Sequence, residues 1–148
     1  MRKRILIVED YPHIVEVLKM RLEAAGYEVL VAYDGYKGLQ VAQSEKPDLI
    51  ILDIMLPKMD GYKVCRFLKL NERYRGIPLF VLTSRTGKAD QEMSKRVGAD
   101  EYFPKPYNPA ELMAKIREYL ERRAGADRER DVPPGGQAPS GSGKAPQR

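Results

Sequence analysis

Three runs of four consecutive apolar residues constrain this chain more than any other feature: ILIV at 5–8, LIIL at 49–52 and LFVL at 79–82. A strand with one wet face alternates apolar and polar residues. A strand with no polar member is buried on both faces, as in a parallel sheet covered by helices on either side. EVLVA at 28–32 is a fourth strand candidate. EYFP at 101–104 is a fifth, expected at a sheet edge because Pro104 has no N–H to give to a ladder.

Helical patterns lie between the runs. Ile14, Val17, Leu18, Leu22 and Ala25 form one stripe, started by Pro12 and stopped by Gly26. A second segment runs from about Tyr36 to Glu45. Val64, Phe67 and Leu68 form a third stripe, with Asp60 as its expected N-cap. Ala89, Met93 and Val97 form a thin fourth, ending at Gly98. Leu112, Met113, Ile116, Tyr119 and Leu120 form the fifth, entered through Asn108-Pro109. Five βα units predict an α/β fold: a flavodoxin-like, doubly wound, five-stranded parallel sheet with five helices. Right-handed crossovers leave few topologies, and the strand order 2-1-3-4-5 is expected.

Composition changes near Arg123. From Ala124 the chain reads AGADRERDVPPGGQAPSGSGKAPQR, with Val132 its one large apolar residue. Such a segment cannot bury enough surface to offset its ordering entropy. The expected organisation is a folded domain over 1–123 and a disordered Gly/Pro/Ser-rich charged segment over 124–148, either a tail or a linker to a further domain. No apolar run approaches the roughly 20 residues that cross a bilayer, so no membrane insertion is expected. The apolar run behind Arg2, Lys3 and Arg4 stops at Glu9-Asp10, too short for a signal-peptide core, which points to the cytoplasm. Cys65 is the only cysteine, which excludes an intramolecular disulfide and any multi-cysteine metal site. The net charge of +5 is scattered, so direct DNA binding, which needs a clustered basic stripe, is not expected.

In a doubly wound sheet, ligands bind outside the carboxyl ends of the strands, at the switch point between strands 1 and 3. Strand 1 ends in Glu9-Asp10, strand 3 in Asp53, strand 4 in Thr83-Ser84 and strand 5 in Lys105-Pro106. Three carboxylates gathered in one place repel one another unless a cation sits among them. Mg²⁺ takes one or two carboxylates and keeps several waters. Glu9, Asp10 and Asp53 suit it, with the backbone carbonyl of Met55 as a further ligand. Lys105 adds a second positive charge and Thr83 a hydroxyl donor. Together these groups form an electrostatic clamp for a phosphoryl group, with Asp53 as the nucleophile.

The stretches IVED, LDIMLPKMDGY, VLTS and FPKP, with GADEYFPKPYNPAEL from Gly98 to Leu112, resemble the receiver domain of bacterial two-component response regulators. The resemblance covers about residues 3–122. It implies that Asp53 accepts the phosphoryl group and that Glu9 and Asp10 position Mg²⁺. Thr83 and Lys105 contact the phosphoryl oxygens, Tyr102 is the aromatic switch residue, and the peptide before Pro106 is cis. Met55 and Arg85 flank the path of the hydrolytic water. The implied partners are a sensor histidine kinase or phosphotransfer protein, and a downstream protein effector on the helix 4–strand 5–helix 5 face. The protein is then a switch, with self-catalysed phosphotransfer and autodephosphorylation only, and not a turnover enzyme. His13 is read as exposed and inert.

Three other readings compete. One is the N-terminal receiver fragment of a longer response regulator whose output domain is absent. An aspartate-nucleophile phosphohydrolase also uses a strand-end aspartate, Mg²⁺, Thr and Lys, but wants a second acid where Met55 stands. A receiver kept only as a binding module would not need the complete set of acids, hydroxyl and lysine.

Overall fold

The structure, a computed structural model, describes residues 2–85 and 87–131. Its elements alternate strictly: β1 (Arg4–Val8), α1 (Pro12–Ala24), β2 (Glu28–Ala32), α2 (Gly35–Glu45), β3 (Leu49–Leu52), α3 (Gly61–Leu70), β4 (Leu79–Thr83), α4 (Lys88–Arg96), β5 (Glu101–Pro104) and α5 (Pro109–Asp131). All five strands are parallel, in the order β2-β1-β3-β4-β5. The expected flavodoxin-like topology is the observed one, and β5 lies at an edge.

The apolar runs are explained by two cores. Leu6, Val8, Ile50, Leu52, Leu79 and Val81 point to one face, where they meet Ala42 of α2, Val64 and Leu68 of α3 and Val97 after α4. Ile5, Ile7, Leu49, Ile51, Phe80 and Leu82 point to the other, against Val15, Leu18 and Leu22 of α1 and Leu112, Ile116 and Leu120 of α5. Alternate residues therefore feed different cores, and no position in the runs 5–8, 49–52 and 79–82 is left for a polar side chain.

Helix ends follow local chemistry. Asp34 caps α2 by accepting the Lys37 N–H at 2.7 Å, and Asp60 caps α3 by accepting the Tyr62 N–H at 2.8 Å. Gly61 is required where it stands: a Cβ there would lie 2.6 Å from Ile54 Cα and 2.7 Å from the Asp53 carbonyl oxygen. The absent side chain lets α3 start directly against the end of β3.

Several expected helix faces are corrected. Val17 is exposed and Val15 takes its place in the core. Phe67 is exposed, and Cys65 is buried with Val64 and Leu68. On α4, Ala89 and Met93 face outward and Ser94 faces inward. α5 runs on past Arg123, the expected end of the folded domain, to Asp131. Residues 124–131, AGADRERD, hold no proline, and Ala124, Ala126, Arg128, Glu129 and Arg130 are good helix formers. The remainder of the expected tail, 132–148, lies outside the described residues.

Candidate active site at the carboxyl ends of the strands

Glu9, Asp53 and Lys105 are each fixed by one backbone bond that prolongs the sheet past a strand end. Glu9 N–H donates to the Ala32 carbonyl at 3.0 Å, Asp53 N–H to the Val8 carbonyl at 3.0 Å, and Lys105 N–H to the Thr83 carbonyl at 2.8 Å. The parallel register therefore delivers the side chains together. The Lys105 ammonium lies 2.5 Å from Glu9 Oε1 and 3.1 Å from Asp53 Oδ2. Asp53 Oδ1 accepts the Met55 N–H at 3.0 Å, and Glu9 Oε2 accepts the Tyr11 N–H at 3.2 Å. The Lys105–Pro106 peptide is cis, as the resemblance implies.

Glu9 and Asp53 are buried, so their charges are costly. Burial pushes the Glu9 carboxyl above its ordinary range; the Lys105 hydrogen bond pulls it back, and the Asp53 charge adds to the rise. Burial also works against the Lys105 ammonium. There the hydrogen bonds and charges of Glu9 and Asp53 outweigh it and hold the lysine pKa above its usual value. One ammonium thus serves two acids.

Asp10 is left over. Glu9, Asp10 and Asp53 each bring a carboxylate oxygen within 4.8 Å of the others, but Asp10 Oδ1 is buried with no hydrogen-bond partner. Native interiors rarely leave such an acceptor unpaired. Three hard oxygen donors, one of them orphaned, fit a divalent cation of the Mg²⁺ kind.

Thr83 is fully buried, and its hydroxyl oxygen accepts the Arg85 N–H at 3.2 Å. Tyr102 packs its ring against the α2–α3–α4 side of the sheet, while its hydroxyl donates to the Arg85 carbonyl. His13 is exposed and Cys65 is buried; burial drives the Cys65 thiol up to about 12. Sequence reasoning singled out Arg85 but missed its partners, Asp90 and Tyr62. The Arg85 guanidinium pairs with Asp90 Oδ1 at 3.0 Å and lies 5.8 Å from the centre of the Tyr62 ring. The Tyr62 hydroxyl reaches Asp90 Oδ1 at 3.1 Å. These three residues come from separate elements with no common spacing, so no sequence pattern marks them.

The response regulator receiver domain model matches residues 5–117. The chain belongs to the response regulator receiver family. Receiver domains are phosphoacceptor switches that work with histidine kinases and bind Mg²⁺ in an acidic site. This receiver is 42% identical over 122 residues to the alkaline phosphatase synthesis transcriptional regulatory protein PhoP of Bacillus subtilis, covering 82% of the chain and 50% of that protein. The chain spans about half the length of the relatives it matches. Among solved structures, a CheY-like receiver domain protein from Methanospirillum hungatei superposes with a TM-score of 0.78 at 34% identity, covering 85% of this chain and 99% of that one. The receiver domain of a sensor histidine kinase from Pseudomonas aeruginosa, with magnesium ion coordinated in the active site cleft, gives a TM-score of 0.75 at 30% identity over 82% of this chain and 99% of its own. Among the described residues no helix is long and apolar enough to cross a membrane.

Proposed function

We propose that this receiver is a cytoplasmic phosphorylation switch with Asp53 as the phosphoacceptor. The observation that carries the reading is the environment of Asp53. It is buried at a strand end, hydrogen-bonded through both oxygens, bound to Lys105 and set beside two further acids, one with an orphaned oxygen. Glu9, Asp10, Asp53 and the backbone carbonyl of Met55 hold Mg²⁺, which neutralises charge on the phosphoryl oxygens when bound.

A sensor histidine kinase or phosphotransfer protein presents a phosphohistidine. An Asp53 carboxylate oxygen attacks phosphorus in line; the P–N bond breaks and its electron pair stays on the imidazole. Lys105 counters the incoming charge, and the Thr83 hydroxyl donates to a phosphoryl oxygen while still accepting the Arg85 N–H. In the separate hydrolytic step, water attacks phosphorus, the O–P bond to Asp53 breaks, and Asp53 returns as a carboxylate with release of inorganic phosphate. The acyl phosphate biases Thr83 and Tyr102, and through them the surface of α4, β5 and α5 that a downstream protein effector reads.

PhoP is named as a transcriptional regulator, and the match spans half of it. That favours a second element of the reading: this receiver governs a transcriptional output while its own residues make protein contacts and none to DNA. The test is incubation with a small acyl phosphate or phosphoramidate. One phosphoryl group should be incorporated with Mg²⁺, none with EDTA, and none in Asp53→Asn. Incorporation that persists in Asp53→Asn refutes the assignment.

A further inference from the structure

Arg85 stands two residues beyond Thr83 and lines the same open cleft, about 450 Å³, as Met55, which is two residues beyond Asp53. Its backbone N–H is bonded to the Thr83 hydroxyl oxygen, so its guanidinium is a positive charge carried next to the phosphoryl site. Yet the side chain is engaged elsewhere. Asp90, in the first turn of α4, holds it by a 3.0 Å ion pair. Asp90 is itself held by the Tyr62 hydroxyl from α3, and the Tyr62 ring lies beside the guanidinium. Lys58, the other cation on the cleft, is 3.5 Å from Asp34.

We propose that Asp90 competes with the phosphoryl group for Arg85, so that the Arg85–Asp90–Tyr62 cluster sets how firmly the site holds a phosphoryl group. The inference rests on the reading of Asp53 as phosphoacceptor. A phosphoryl group brings about two negative charges, against one on Asp90. A guanidinium matches phosphate oxygens in a bidentate fork at least as well as it matches a carboxylate. With Asp53 unmodified, Arg85 has only Asp90 to pair with and stays on α4. With a phosphoryl group on Asp53, the guanidinium has a stronger acceptor beside Thr83, whose hydroxyl oxygen already accepts the Arg85 N–H. The exchange has a cost, the lost Arg85–Asp90 pair, and that cost lowers the affinity of the site for the phosphoryl group. It also links the site to α4, because the first turn of α4 loses its tie to the β4–α4 loop when Arg85 leaves. Asp90 is thus a positioning residue that acts through Arg85, and Tyr62 orients Asp90.

The experiment is a double-mutant cycle read by binding of beryllofluoride, a phosphoryl mimic, in the presence of Mg²⁺. Asp90→Asn frees the guanidinium and should tighten beryllofluoride binding on the order of two- to five-fold, the range of a half-exposed ion pair. Arg85→Gln should weaken binding, and adding Asp90→Asn to it should change nothing further. Tyr62→Phe removes the hydroxyl shared between the Asp90 carboxylate and its carbonyl and should give a smaller tightening than Asp90→Asn, in a protein whose α4 charges are intact. Mg²⁺ affinity, measured without beryllofluoride, should match the parent in all four variants. Unchanged beryllofluoride affinity in Asp90→Asn overturns the proposal. Equal tightening with and without Arg85 also overturns it, because the effect would then be general electrostatics. If the parent protein itself fails to bind beryllofluoride with Mg²⁺, the phosphoacceptor reading falls and this inference with it; a parent that binds normally confines any failure to Asp90.

Discussion

Replacing Asp10 with alanine should stabilise the metal-free protein while weakening its hold on Mg²⁺. The magnitude follows from three terms. Asp10 Oδ1 is buried without a partner, and an unsatisfied buried acceptor costs about 1–3 kcal/mol. Its charge also faces Glu9 and Asp53, with ligand atoms all within 4.8 Å of one another. At an effective dielectric of about 20, a like pair at that distance repels by roughly 3 kcal/mol before Lys105 offsets part of it. Against these stands the favourable placement of an acid just ahead of α1, worth about 0.3–1 kcal/mol through the helix dipole. The repulsive and desolvation terms win, and the net gain should be on the order of 1–3 kcal/mol. For a domain of this size each kcal/mol moves the melting temperature by roughly 3–6 °C. Thermal melts in EDTA should therefore place Asp10→Ala several degrees above the parent. Excess Mg²⁺ should raise the parent's melting temperature by mass action and shift the variant much less. A lower melting temperature for Asp10→Ala in EDTA would refute the argument that the acids are crowded.

Three further outcomes follow from the geometry. Lys105→Met leaves Glu9 and Asp53 buried without their cation and should destabilise the metal-free protein by about 3–5 kcal/mol in denaturant melts, part of which saturating Mg²⁺ restores. The raised Glu9 pKa means that its contribution to stability is complete below the unfolded value of 4.5 and is lost as pH rises through the folded value. Without metal, the stability difference between the parent and Glu9→Gln should therefore move against the parent as pH rises from 4.5 toward neutrality, and a flat difference would contradict the assigned shift. Gly61→Ala forces a Cβ to within 2.6 Å of Ile54 Cα, and should cost about 1–3 kcal/mol and disturb Mg²⁺ binding together with stability.

The strands were legible because burial on two faces leaves a mark that no other element of this length shares: unbroken apolar runs closed by polar residues. The site was legible for a related reason. Glu9 and Asp53 each sit one ladder bond past an apolar run and Lys105 one past the end of β5, so finding the strand ends finds these residues. Helix faces were less legible. On α1, Ile14, Val17 and Leu18 trace a helical stripe as plausible as Val15, Leu18 and Leu22, and only packing against Phe80 and Ile51 decides between them. On α4, the sequence KADQEMSKR carries almost no apolar signal. Its orientation is set by polar contacts, Asp90 to Tyr62 and Arg85, and by Val97 beyond its end. The Arg85–Asp90–Tyr62 cluster was invisible for the same reason: side chains from α3, the β4–α4 loop and α4 meet only once the chain is folded. The reach of α5 past Arg123 was hidden by a composition read as a whole, in which prolines and glycines after Asp131 masked eight helix-compatible residues before them.

The central claim, that Asp53 is the residue that takes the phosphoryl group, is tested most directly by chemical trapping. An aspartyl phosphate is an acyl phosphate, and borohydride reduces it to homoserine while leaving free carboxylates intact. Protein treated with a phosphodonor and Mg²⁺, reduced and digested, should carry homoserine at position 53 and nowhere else, with none after treatment in EDTA. Homoserine at position 10, at another acid, or at no position in protein that has demonstrably gained a phosphoryl group would contradict the account.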